Sequence, residues 1–303
     1  MPTVETRTRI TLKNILLATD FSPATENAIR YAGELARHSK AKLFALHVQA
    51  PPNYALPAQS WKSTVEATEL QARELREKLG NAFPEIESEV IVGEGIPWRV
   101  LTSVVEENQI DLIVLGTRGR TGIGKLLLGS QAEEILRDAP CPVLVAGPYT
   151  YWSEHGGKKL AEILYATDFG LNGQEAGPYA FSLTEEYGAH LTLLHVIEDP
   201  RADEFVNASQ LSEASERKLR DLVSEEAGAI GEPAFLVEQG SAARKILEVA
   251  DRIHADLIVL GVRRASGFPG AATHLPTAVA HKVVAEANCP VLAIPNLGEH
   301  TAT

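Results

Sequence analysis

Short apolar runs alternate with longer segments whose apolar residues recur every three or four positions, and this alternation fills the chain. In its first half ILLAT, KLFALHV, SEVIVG, LIVLG and PVLVA stand at 15–19, 42–48, 88–93, 112–116 and 142–146. They are apolar nearly throughout, as strands buried on both faces are. Between the first two, Ile29, Ala32, Leu35 and Ala36 share one helical face, with Ser22 as its expected N-cap and Pro23 at the first helical position. A helical pattern charged on one side runs from about Lys62 to Leu79, and another from Pro97 to Asn108. Strands alternating with helices in this way predict an α/β fold, a parallel sheet with helices on both faces. In such sheets ligands sit beyond the C-terminal strand ends, near the point where strand order reverses.

The pattern is written twice. NILLATDF at 14–21 returns as EILYATDF at 162–169, LFALHV at 43–48 as LTLLHV at 191–196, and CPVLVAGP at 141–148 as CPVLAIPN at 289–296, each 148 residues on. DLIVLG at 111–116 recurs letter for letter at 256–261, an offset of 145. The second copy thus has three fewer residues before its DLIVLG and three more after it. The expected layout is a first domain over 1–147, a linker over 148–159 with Pro, Gly and charge, and a second domain over 160–303.

Three unusual segments of the first copy fall at one expected crevice. ATDF closes the first strand, HV closes the second, and GTRGRTGIGKLLLGS at 116–130 follows the fourth. Five glycines in that last stretch need a reason, because glycine costs backbone entropy on folding. A nucleoside-triphosphatase P-loop is nearly met by Gly119, Gly124 and Lys125, but Leu126 stands where a hydroxyl must hold magnesium. The dinucleotide pattern fails too, with Leu127 in place of its last glycine. What fits is Gly116-x2-Gly119-x9-Gly129-Ser130, with Ser130 opening a helix as cap or phosphate donor. A glycine turn set against a helix N-terminus favours an anion.

With ATDF, LHV, this glycine–serine spacing and CPVL, the chain resembles the universal stress protein family across both copies, and its nucleotide-binding branch in the first. The resemblance implies two tandem Rossmann-like domains of the adenine nucleotide alpha hydrolase-like type, each a five-stranded parallel sheet flanked by helices. It implies one ATP, or another adenine nucleotide, with Mg²⁺ or Mn²⁺, in the first copy. Ala18, Thr19 and Asp20 would lie near ribose and phosphates, and the backbone of Val48 near adenine. Gly116, Gly119, Gly129, Ser130 and Gln131 would hold ribose and phosphates, with Arg118 as a cation in the loop. No residue is assigned to catalysis, and the metal ligands are unknown. In the family two domains pair through their last strands, which PVLVA and PVLAI would satisfy within one chain, and a homodimer of whole chains is a further expectation.

The second copy departs from the pattern. Arg264 stands in place of the second glycine, and Thr277 and Ala278 replace Gly129 and Ser130. A weak or absent ATP site is expected there, with a small anion near Arg263 and Arg264 as the minority reading. Asp168 is expected to cap the next helix turn, His47 and His195 to be structural, and Cys141 and Cys289 to be buried and inert. APPNYALPAQSW at 50–61 reads as a loop after the second strand.

Composition narrows the rest. A net charge of −12 argues against a nucleic-acid backbone as partner. No run approaches the roughly 20 apolar residues of a membrane span. Two cysteines make no disulfide framework, and the first residues carry no export signal, so a cytoplasmic setting is expected. The expected function is a nucleotide-dependent sensor or regulator of the stress response with an unnamed protein partner. The alternatives are a slow ATPase and a nucleotide-independent, structural or chaperone-like protein.

Overall fold

The computed structural model describes residues 10–22, 25–49, 58–116, 129–147, 160–198, 208–223, 231–262 and 275–295. Contacts divide the chain into two compact units, one of Leu12–Trp152 and the other of Ser153–Thr303 with Met1–Thr11. The expected linker, 148–159, lies outside the described residues.

The first domain runs β1 (Asn14–Ala18), α1 (Glu26–Ser39), β2 (Lys42–Gln49), α2 (Ala58–Ala82), β3 (Ser88–Glu94), α3 (Pro97–Glu107), β4 (Leu112–Gly116), α4 (Ser130–Asp138) and β5 (Val143–Ala146). Its strands lie in the order β3-β2-β1-β4-β5, all parallel. The chain moves outward from β1 through β2 to β3, then crosses back to β4 on the other side of β1. Strand order therefore reverses between β1 and β4, and the crevice of such a sheet opens at their C-terminal ends.

The second domain repeats this with β6 (Glu162–Ala166), α5 (Leu171–Tyr187), β7 (His190–Ile197), α6 (Ala208–Val223), β8 (Ala234–Gln239), α7 (Ala242–Arg252), β9 (Leu257–Val262), α8 (Leu275–Glu286) and β10 (Val291–Pro295). The strand order is β8-β7-β6-β9-β10, again parallel. Register repeats as well as order. Leu16 lies between Phe44 and Ile113 in the first sheet, and Leu164 between Thr192 and Ile258 in the second.

The central strands form the core because both their faces are covered. Ile15, Leu16, Leu17, Ile113 and Val114 are fully buried, as are Ile163, Leu164, Ile258 and Val259. β3 is the exception to the continuous apolar reading. It is an edge strand, and exposed positions alternate along most of it. Each outer strand ends on a glycine with positive φ, Gly95 at 141° and Gly240 at 128°, where a side chain would be strained. Their amides donate to Gln49 O and Ile197 O, 3.0 Å each, as the chain turns into α3 and α7.

Two helix boundaries differ from expectation. α1 starts at Glu26 with Thr25 at its N-cap, and Ser22 lies a turn earlier, accepting at its carbonyl from Thr25 N and Thr25 Oγ1. Thr25 can close that turn because its hydroxyl reaches a backbone carbonyl locally. α2 starts at Ala58, so the end of APPNYALPAQSW, Trp61 included, is helix rather than loop. Tyr54 lies outside the described residues.

Candidate functional site

The end of β1 is a turn built from side chains. Thr19 N donates to Leu46 O, keeping the chain on β2 for one residue past the strand. Thr19 Oγ1 then accepts from Phe21 N at 3.0 Å, and Asp20 Oδ1 from Ser22 N at 3.0 Å. These two bonds satisfy amides that the turn withdraws from the sheet. Phe21 takes φ of 59°, a left-handed conformation that a bulky residue avoids unless its surroundings fix it. The fixing group is His47. Its ring lies 4.4 Å from the Phe21 ring, and its Nδ1 donates to Thr19 O at 2.9 Å.

The second copy rebuilds the turn bond for bond. Phe169 N donates to Thr167 Oγ1 at 3.1 Å, and Gly170 N to Asp168 Oδ1 at 2.8 Å. Phe169 has φ of 61°, and the His195 ring lies 4.3 Å from it with Nδ1 on Thr167 O at 2.9 Å. The histidines are thus structural, as expected, and their function is to hold the aspartate-bearing turn. Burial lowers the His195 pKa from its ordinary value, which keeps the ring neutral. Burial also raises the Cys141 and Cys289 thiols to about 12, so both are inert thiols.

A cavity of about 310 Å³ opens beyond the strand ends of the second domain. Ala166, Thr167, Asp168, Val196, Gly261 and Val279 line it. By the repeat offsets these positions correspond to Ala18, Thr19, Asp20, Val48, Gly116 and Gln131, six of the first-domain residues singled out by sequence. The fold therefore brings these positions of one copy to a single crevice. Asp168 caps the turn, as expected, and is also among the residues that line the cavity.

In the first domain Ala18, Thr19 and Asp20 follow one another at the end of β1, Val48 lies near the end of β2, and Gly116 ends β4. α4 begins at Ser130 with Gly129 as N-cap, in an extended conformation and without any side-chain cap bond. Ser130 is thus the exposed first helical residue rather than the cap, and Gln131 follows it, also exposed. Glycine at the cap leaves the first amides of α4 to other acceptors. An added Cβ at Gly129 would meet no atom of the described residues within 4 Å. Arg118 and Gly119, with Arg120 and Lys125, lie outside the described residues, as do Arg263 and Arg264. Thr277 and Ala278, the counterparts of Gly129 and Ser130, fall inside α8, which starts three residues earlier than α4 by the same offset.

Sequence reasoning missed a linked set of changes beneath the second crevice. Leu17, Thr25 and Ile29 of the first copy become Tyr165, Gly173 and Gly177. The buried Tyr165 hydroxyl donates to Gly173 O at 2.6 Å, and burial raises its pKa to about 12. A Cβ at Gly173 would stand 2.7 Å from Thr167 Oγ1 and 2.8 Å from Asp168 Oδ1. Glu198 was missed as well. It lines the cavity where the first copy has Ala50, and its Oε1 accepts from Ala242 N at 2.9 Å at the start of α7. Aligning the two copies position by position is the signal that finds both.

Duplicated parallel sheets, each reversing strand order beside its first strand, define a tandem α/β protein. The Universal stress protein family profile matches residues 11–147 and again 160–295, and the chain belongs to that family as a tandem member. A universal stress protein of Methanocaldococcus jannaschii is 34% identical over 139 residues, covering 44% of this chain and 81% of that one. A universal stress protein of Mycolicibacterium smegmatis is 27% identical over 298 residues, covering 92% of this chain and 96% of its own. The crystal structure of a universal stress protein from Archaeoglobus fulgidus matches with a TM-score of 0.70 at 23% identity, over 93% of this chain and 98% of that one. At that identity the match speaks for the fold.

Proposed function

We propose that the first domain binds an adenine nucleotide, ATP with a divalent cation, and that the protein is a nucleotide-dependent regulator of the stress response. The observation that supports this most is Gly129. Its φ of −65° suits any residue, and among the described residues no atom lies within 4 Å of where its Cβ would be, so neither backbone nor described packing calls for glycine. A ligand approaching the backbone closely does. In this reading the first amides of α4 meet phosphate oxygens, Asp20 lies near the ribose and phosphates, and the strand end at Val48 faces the base. Mg²⁺ or Mn²⁺ takes oxygen ligands, and the phosphates with one carboxylate are the usual set. Asp20 would supply that carboxylate, and a bound cation would neutralise phosphate charge. Among the described residues no group of three or more His, Cys, Asp or Glu is placed to hold a metal on its own.

Calorimetric titration of nucleotide-stripped protein with Mg-ATP tests the reading. One site per chain, lost in Gly129→Val, is the expected result, and no heat of binding in the unmodified protein overturns it. Phosphate release that persists through purification and disappears in Asp20→Ala would instead establish the ATPase alternative.

A further inference from the structure

We propose that the first two turns of α5, residues 171–177, unwind independently of the rest of the helix, with a joint between Gly177 and Pro178 and a latch at the Tyr165 hydroxyl. Gly173 lies in this segment and lines the second-domain cavity, so unwinding takes away part of the cavity wall. The device does not depend on what either crevice holds.

The joint comes from proline. Pro178 stands inside the helix and has no amide hydrogen. It therefore removes the first of the bonds that would tie the second turn to the third, the one to Gln174 O, and its ring crowds that carbonyl. Gly173 and Gly177 lie just before it, and glycine is the poorest helix former after proline. Room for Tyr165 explains Gly177, whose Cβ would stand 3.3 Å from the tyrosine hydroxyl. It does not explain Pro178, which is exposed and fills no core.

Little apolar burial holds the segment down. The buried residues described in it are Gly173, Ala176 and Gly177, which have at most a methyl group to bury, and Leu171 is 75% exposed. The hold is polar instead. Tyr165 donates to Gly173 O at 2.6 Å and Gln174 Nε2 to Phe169 O at 3.1 Å, which ties the segment to β6 and to the aspartate turn after it. The first domain is built the other way. Leu17, Thr25, Ile29 and Arg30 stand where the second has Tyr165, Gly173, Gly177 and Pro178. Ile29 is buried and anchors α1 at the point where α5 has glycine, and Arg30 keeps the amide that Pro178 lacks. Latch, joint and weakened turns thus occur together in one copy and are all missing from the other.

The test is residue-resolved hydrogen exchange on the full chain without added ligand. Protection at Glu175, Ala176 and Gly177 is read against Ser182, Leu183 and Thr184 of the same helix. Arg30, Tyr31 and Ala32 lie equally far from the start of α1, and their protection against Arg37, His38 and Ser39 measures ordinary end fraying. Beyond that fraying, the second turn of α5 is expected to be at least about tenfold less protected. Pro178→Ala, at an exposed position, is expected to restore at least about tenfold of protection at 175–177. Tyr165→Phe keeps the ring and is expected to lose about fivefold there, with 182–184 unchanged. Protection of the second turn no lower than the α1 control overturns the inference. So does a Pro178→Ala chain with no gain at 175–177, which leaves no joint. A Tyr165→Phe chain that loses protection equally in both halves of α5 makes the tyrosine a core residue instead of a latch, and overturns it too.

Discussion

Asp111 shows how much one side chain can organise. Its Oδ2 accepts from the amides of Lys13 and Asn14, at 2.7 and 2.9 Å, pinning the start of β1 to β4. Asp256 does the same for Ala161 and Glu162 in the second domain. Asp111→Ala leaves two amides without their acceptor and should cost about 1–3 kcal/mol, read as a lowered urea midpoint. Gly129→Val should cost only about 1 kcal/mol, because valine is a poorer N-cap than glycine but meets no clash. A large loss of stability there would show that the glycine serves the fold after all. His195 makes a pH prediction. Burial holds its folded pKa below the ordinary 6.5, so the unfolded chain takes up a proton more readily. Its contribution is complete above about pH 6.5 and is lost as pH falls from there through the lowered folded value. The difference in unfolding midpoint between wild type and His195→Gln should therefore shrink between pH 7.5 and 5.5, and a constant difference would refute the assignment. At this scale recurrence in the sequence singled out Asp20 and the histidines, and the structure joins them in one turn at each strand end. It misjudged Ser22 and Ser130 as caps, because a serine before a helical pattern leaves open which of several neighbours closes the turn.

Elements were more legible than their ends. Buried strands announced themselves as unbroken apolar runs, and DLIVLG appears on both central partners of β1 and β6 because both are covered on two faces. β3 reads much like the others in sequence, yet its edge position leaves Val92 39% exposed, and neighbours in space rather than in sequence decide that. The α5 helix carries information that no periodicity shows. Gly177 makes room for Tyr165, whose hydroxyl lies 3.3 Å from where a Gly177 Cβ would be, and Gly173 makes room for Thr167 and Asp168. Gly173→Ala should therefore push on Thr167 and Asp168 and cost about 1–3 kcal/mol despite alanine's better helix propensity. Equal or higher stability of that variant would show the contact relaxes without strain.

At the scale of the molecule, duplication was the clearest statement in the sequence, and the architecture follows it in strand order and register. In the second domain a cavity lies beyond the strand ends, where topology puts the crevice of such a sheet. That cavity and Glu198 become visible only when side chains distant in sequence are brought together. Linked ligand stabilisation should separate the domains. Saturation at a hundred times the dissociation constant stabilises a folded unit by about 2.7 kcal/mol. Mg-ATP should slow hydrogen exchange through β1, β2 and β4 more than through β6, β7 and β9. Protection by ATP of the second set alone would reverse the proposed assignment. Among the described residues no helix is long and apolar enough to cross a membrane.

The paired aspartate turns have one more consequence, for whoever measures this protein. Phe21 over His47 and Phe169 over His195 are matched reporters, alike in separation and tilt. In a magnetic-resonance spectrum each phenyl ring current marks its own imidazole. An effector acting on one crevice moves one imidazole signal, and its twin in the same tube serves as the control.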